Sequence, residues 1–128
     1  MTREQLNKLG KEILDSCVAV HREPGPGLLE SIYVYCLLKE FELRGINAKT
    51  KVCISLMYKR YDTGKYFEID ILVEGEVILE IKAVEIMHPV YEAQMISYLR
   101  LADKRLGYLI NFNVPVLKDG FRRFVYKF

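Results

Sequence analysis

The stretch EIDILVEGEVILEIKA, residues 68–83, decides how this chain folds. Two apolar-rich runs flank Glu74-Gly75-Glu76, which predicts a β-hairpin. A two-residue turn at Glu74-Gly75 would set Asp70 beside Leu79 and mix charge with hydrocarbon on both faces. A three-residue loop pairs Val73 with Val77 and leaves one face wholly apolar. Gly-containing loops of that length are common, and burial of apolar area at about 25 cal/mol per Å² favours the cleaner register. Side chains alternate along a strand. Phe67, Ile69, Ile71 and Val73 are therefore expected on one face, with Tyr66, Glu68, Asp70 and Leu72 on the other. In that register Asp70 faces Glu80, and Glu68 faces Lys82.

Two carboxylates opposed across a sheet repel, and Lys82 supplies a single positive charge. A hard divalent cation between Asp70 and Glu80 would remove the conflict, because Mg²⁺ prefers carboxylate oxygens and keeps several waters. The plain alternative is a solvated face, with Glu68 and Lys82 as a surface ion pair worth little.

On the N-terminal side, Leu6, Leu9, Ile13, Cys17 and Val20 recur at helical spacing behind Thr2, a cap residue. A first helix to about His21 follows. The PGPG of residues 24–27 breaks the chain. Residues 28–45, LLESIYVYCLLKEFELRG, then read as a second helix closed by Gly45. Its first three turns lack a polar face, which predicts burial on most sides. KVCISLMYKR (51–60) is a β run, the DTG of 62–64 is a turn signal, and KYFEIDILV (65–73) is the next strand. After the third strand, EVILEIKA (76–83), Pro89 suits the first turn of a third helix over residues 89–103. LGYLINF (106–112) is a short buried strand, and FRRFVYKF (121–128), after a turn at KDG, is the last. The order α-α-β-β-β-α-β-β predicts one α/β domain over 1–128, a mixed sheet flanked by helices. An antiparallel meander is joined to a parallel strand by a right-handed crossover.

Composition agrees. Of 128 residues, 51% are hydrophobic and 28% charged, the make-up of a folded domain with its own core rather than a disordered chain. A formal charge of +2 permits a nucleic-acid partner without arguing for one. Cys17, Cys36 and Cys53 form no CxxC pair and sit in apolar runs, which predicts buried free thiols in a reducing cytosol rather than zinc. The charged first residues are no signal peptide, and no apolar run is long enough to span a bilayer.

Asp70 followed by Glu80-Ile81-Lys82 resembles the active-site motif of the PD-(D/E)XK nucleases. Gln94 and Tyr98, in QMISY, resemble the Q-x-x-x-Y element of its RecB-like members. Gly27, Glu30 and Tyr33 match the G-x-x-E-x-x-Y signature of one small bacterial family within that superfamily, and GYLINFNVPVLKDG resembles that family's closing segment. The resemblance implies a restriction-endonuclease-like core and hydrolysis of phosphodiester bonds in DNA or RNA. It also implies Mg²⁺ or Mn²⁺ held by Asp70, Glu80 and the backbone carbonyl of Ile81. Lys82 would be the catalytic lysine and Glu30 a helix carboxylate reaching the metal or its water. Gln94 and Tyr98 would position substrate. Glu68 stands where many members carry a basic or small residue, and Tyr91 where many carry histidine. These two motivate a second reading, a nuclease-like domain that binds without cleaving.

Other residues keep two readings. A carboxylate in the apolar stretch around Glu30 calls for a partner if buried; otherwise it faces solvent or caps the helix. Tyr33 reads as a packing residue with a bonded hydroxyl, His21 as structural, and His88 as a helix-start residue. Lys59, Arg60 and Lys65, with Arg122, Arg123 and Lys127, either contact phosphates or, by default, guard strand edges. The aromatic last strand offers an edge to a second copy.

Overall fold

The computed structural model describes all of residues 1–128. Helix α1 spans Arg3–Arg22. It starts on a capping box: Thr2 Oγ1 accepts from the Gln5 amide at 3.1 Å, and Gln5 Oε1 accepts from the Thr2 amide at 2.7 Å. Helix α2 is Glu30–Leu43 and α3 is Pro89–Ala102. The strands are β1 Ala48–Tyr58, β2 Tyr61–Val73, β3 Val77–Lys82, β4 Leu106–Asn111 and β5 Phe121–Val125. They form one sheet in the order β1-β2-β3-β4-β5, antiparallel except for the parallel pair β3–β4. The crossover through α3 is the physical reason for that pair, since a short hairpin cannot join parallel neighbours. An open mixed sheet with helices on both faces is the predicted architecture. No helix is long and apolar enough to cross a membrane.

Two cores sandwich the sheet. Leu6, Leu9, Ile13 and Cys17 of α1 and Tyr33, Leu37 and Phe41 of α2 pack on Ile71, Val73, Val77, Leu79 and Ile81. Met95 and Leu99 of α3 pack on the opposite face, against Phe67, Ile69, Ile78 and Leu109. Gly107 permits that second contact: a Cβ there would lie 2.6 Å from Met95 Sδ.

The hairpin has the three-residue loop, with Val73 opposite Val77 and Ile71 opposite Leu79. Its faces depart from the simple alternation. Ile71 and Val73 join the α1–α2 core, whereas Phe67 and Ile69 join the α3 core. The strand pair changes faces where Lys51 of β1, between Thr50 and Val52, adopts φ 52°. That left-handed residue interrupts the pleat, and no two-residue period survives it.

Three further expectations are corrected. The chain reverses at Lys59-Arg60, not at Asp62-Thr63-Gly64. The DTG turn chemistry instead shapes a bulge within β2: Gly64 N donates to Asp62 Oδ1 at 2.8 Å, and Thr63 Oγ1 donates to the Leu56 carbonyl at 2.8 Å. Helix α2 begins at Glu30 and buries only Tyr33, Leu37 and Phe41, leaving Tyr35 71% exposed. One face of a two-layer packing is all that α1 and the sheet can cover. All three thiols are free, as expected, but only Cys17 is buried, and Cys53 is exposed on the edge strand β1.

Candidate active site

The β2–β3 ladder stops at Ile71–Leu79, one position short of Asp70 and Glu80. Beyond that point the two carboxylates take over from the ladder. Asp70 Oδ2 accepts from the Ile81 amide at 2.8 Å, and Glu80 Oε1 lies 3.4 Å from the Asp70 amide. Each acid therefore satisfies a backbone donor of the other strand, which a buried amide requires. The cross-strand proximity of Asp70 and Glu80 stands as expected. The pairing of Glu68 with Lys82 does not occur, because the ladder has already ended. Glu68 makes no ion pair and lines a cleft on the α2 side.

Glu80 is only 7% exposed. Burial first, and the Asp70 carboxylate second, push its carboxyl up to about 9, with Lys82 pulling weakly the other way. Asp70, Glu68 and Glu30 line the cleft, about 450 Å³ in volume, with Tyr35, Thr50 and Lys51. Glu30 is exposed at the first position of α2, not buried in an apolar run. Partial desolvation and then Asp70 still raise its carboxyl above the ordinary range, and Lys82 lowers it. Glu30, Asp70, Glu80 and Lys82 thus form one electrostatic group.

The G-x-x-E-x-x-Y residues have distinct physical tasks. Gly27 takes φ 96° in the loop before α2. Tyr33 is fully buried, stacked on Phe112 at 4.6 Å. Its hydroxyl donates to the Gly25 carbonyl at 2.6 Å and accepts from the Leu28 amide at 3.2 Å. Loop and helix start are tied together there, which sets Glu30 beside the cleft.

Lys82 ends β3, and its ammonium lies 4.4 Å from the centre of the Tyr91 ring, in no ion pair. Tyr98 stacks on Phe67 at 4.3 Å. Burial, then Glu80 and Asp70, raise its hydroxyl pKa, which puts Tyr98 within reach of the same charges. Gln94, one turn earlier, is exposed and makes no side-chain hydrogen bond. His88 caps α3 through Nδ1, 3.2 Å from the Val90 amide, and His21 Nε2 lies 2.8 Å from the Val114 carbonyl. Both histidines are structural.

The sequence reading missed two contributors. Buried Asn111, opposite Lys82, receives the Val84 and Asn113 amides at 3.1 Å each and donates to the Val84 carbonyl at 2.9 Å. It fixes the chain leaving Lys82. An asparagine closing an apolar strand was the available signal. Lys51, which lines the cleft with Asp70, carried none.

No three His, Cys, Asp or Glu side chains stand close enough to hold an ion by themselves. The donor chemistry nonetheless fits a hard divalent cation: two adjacent carboxylates, one of them held protonated first by burial and then by the other's charge, gain from a positive charge between them. A backbone carbonyl and waters would complete such a shell.

A family model described as the PD-(D/E)XK nuclease superfamily matches residues 7–124. No curated protein and no solved structure is significantly similar to the chain. The family match spans nearly the whole chain, including the parted hairpin, α2, α3 and most of α1, and the chain belongs to the PD-(D/E)XK nuclease superfamily.

Proposed function

We propose that residues 1–128 form one nuclease-like domain that hydrolyses phosphodiester bonds in DNA or RNA with Mg²⁺ or Mn²⁺. Its G-x-x-E-x-x-Y pattern suggests that family within the superfamily, and a bacterial, cytoplasmic setting. The observation that carries this reading is the interlocked Asp70–Glu80 pair, with the Glu80 carboxyl pushed to about 9 where the sheet parts. Asp70, Glu80 and the Ile81 carbonyl would hold the ion, with Glu30 on its cleft side. When bound, such an ion polarises phosphate and makes water more acidic. Lys82 would orient the attacking water and stabilise charge on the phosphate. Gln94 and Tyr98 would position substrate along α3. A second copy could add a strand at β5, which pairs only with β4.

The test is cleavage of labelled single- and double-stranded DNA and RNA with Mn²⁺, Mg²⁺ or EDTA. Metal-dependent cleavage lost in Glu80→Gln and Lys82→Ala supports the reading; undiminished cleavage by both variants refutes it. One observation favours the alternative of a non-cleaving binding module: the Lys82 ammonium is engaged by Tyr91. On that reading the wild type binds nucleic acid without turnover, and Tyr91→His, which frees the lysine, gains metal-dependent cleavage.

A further inference from the structure

The two basic groups of the sequence have different surroundings in the fold. Arg122 pairs with Glu92, Arg123 bonds Asn7 at 3.0 Å and lies 4.8 Å from the Phe128 ring centre, and Lys127 sits over Tyr126. These residues hold the C-terminal edge together. Lys59, Arg60 and Lys65 make no ion pair at all. They lie in the end of the β1–β2 hairpin, residues 57–66, where every residue is exposed. Interleaved with them are three exposed rings: Tyr58 at 63%, with the Lys59 ammonium 5.6 Å from its centre, and Tyr61 at 77% and Tyr66 at 63%, which no cation covers.

The turn itself carries a cost. Lys59 and Arg60 occupy its two central positions at φ 47° and 73°. Asn-Gly meets that geometry with little strain, whereas each non-glycine residue in the left-handed region is disfavoured by about 1 kcal/mol or more. Edge protection alone does not explain it, since charges elsewhere on the arm would serve and bare tyrosines make an edge stickier.

Glu68 and Asp70 line the cleft, and Tyr66 continues the same alternating face of β2, about 13 Å from Asp70 at strand spacing. Unpaired bases can stack on exposed rings while lysine and arginine follow their phosphates; bases within a duplex cannot.

We infer that the β1–β2 hairpin tip is a single-strand nucleic-acid-binding arm, with Tyr61 and Tyr66 as stacking platforms and Lys59, Arg60 and Lys65 as phosphate contacts. The inference rests on the nuclease reading and adds the form of its substrate. Strands bound by the arm run along β2 toward the cleft.

The test is fluorescence anisotropy of labelled oligothymidylate, and of its duplex with oligoadenylate, in EDTA and across a salt series. Lys59→Asn/Arg60→Gly removes two charges while relaxing the turn, so its melting temperature is maintained or raised. Its salt dependence should be shallower by about 1.4 in log–log slope, two contacts at roughly 0.7 each for a single strand. Tyr61→Thr/Tyr66→Thr, which keeps strand propensity, should weaken binding about tenfold or more. Wild-type affinity and slope in both folded variants, or tighter binding of the duplex than of the single strand, overturns the arm. Cleavage assays on the same proteins separate the two claims. Metal-dependent cleavage by the wild type with no loss of binding in the variants refutes the arm alone. A wild type that neither binds nor cleaves refutes the arm and the nuclease together.

Discussion

Strand β3 has two neighbours and treats them differently. Against β4 it is paired along its whole length, from Val77–Leu106 to Lys82–Asn111. Against β2 it is paired at three positions and then parts, leaving room for Asp70 and Glu80. One flank is built for stability, the other gives up ladder pairs to hold two acids. The amides freed at the gap are taken by the carboxylates themselves, so no buried side-chain polar atom lacks a partner. Such a gap costs the sheet less than it would otherwise, because the Asp70 and Ile81 amides each find a carboxylate oxygen across it.

That difference between the flanks can be broken by mutation. The largest expected effect is on the parted flank and on activity: Glu80→Gln and Lys82→Ala should each lower metal-dependent cleavage about a thousandfold or more while the circular dichroism spectrum is unchanged. On the paired flank the effect should be on stability. Leu79→Ala, in the α1–α2 core, should cost about 2–5 kcal/mol in urea unfolding.

The metal-free protein should show a pH signature that belongs only to the parted flank. The Glu80 carboxyl titrates near 9 in the fold against an ordinary 4.5. The folded chain therefore binds one more proton than the unfolded chain between those values, and stability falls as pH rises through that window. It is fully present below about 4.5 and spent near 9, a difference on the order of a few kcal/mol. Urea midpoints taken from pH 5 to 9 in EDTA should decline in the wild type and flatten in Glu80→Gln. A smaller effect is expected where α3 meets the sheet. Gly107→Ala drives a methyl into Met95 and should cost about 1–3 kcal/mol by the same urea assay.

What could be read in advance follows the same division. The register of the hairpin was legible because one face of Val73, Ile71, Val77 and Leu79 is purely apolar, and a slip of one residue would expose it. Element order was legible from periodicity and from Thr2, Gly45 and Pro89. The change of faces at Lys51 was not, since a lysine at φ 52° leaves no mark in the sequence. The DTG signal was real turn chemistry put to use in a bulge, and only the tertiary register separates those uses. In the site, spacing along one hairpin brought Asp70 and Glu80 together. The placement of Glu30 depends on a loop tied by Tyr33, and the contact of Lys82 with Tyr91 depends on where α3 begins. Neither is a local property.

We propose the gap between β2 and β3 as a cation site. The most direct measurement is thermal unfolding during a Mn²⁺ titration of the wild type, Asp70→Asn and Glu80→Gln. At ten times its dissociation constant the ion should stabilise the wild type by about 1.4 kcal/mol, a rise in melting temperature of about 5 °C. Neither variant should respond at that concentration. A wild type that Mn²⁺ leaves unmoved, or variants that rise with it, would contradict the account.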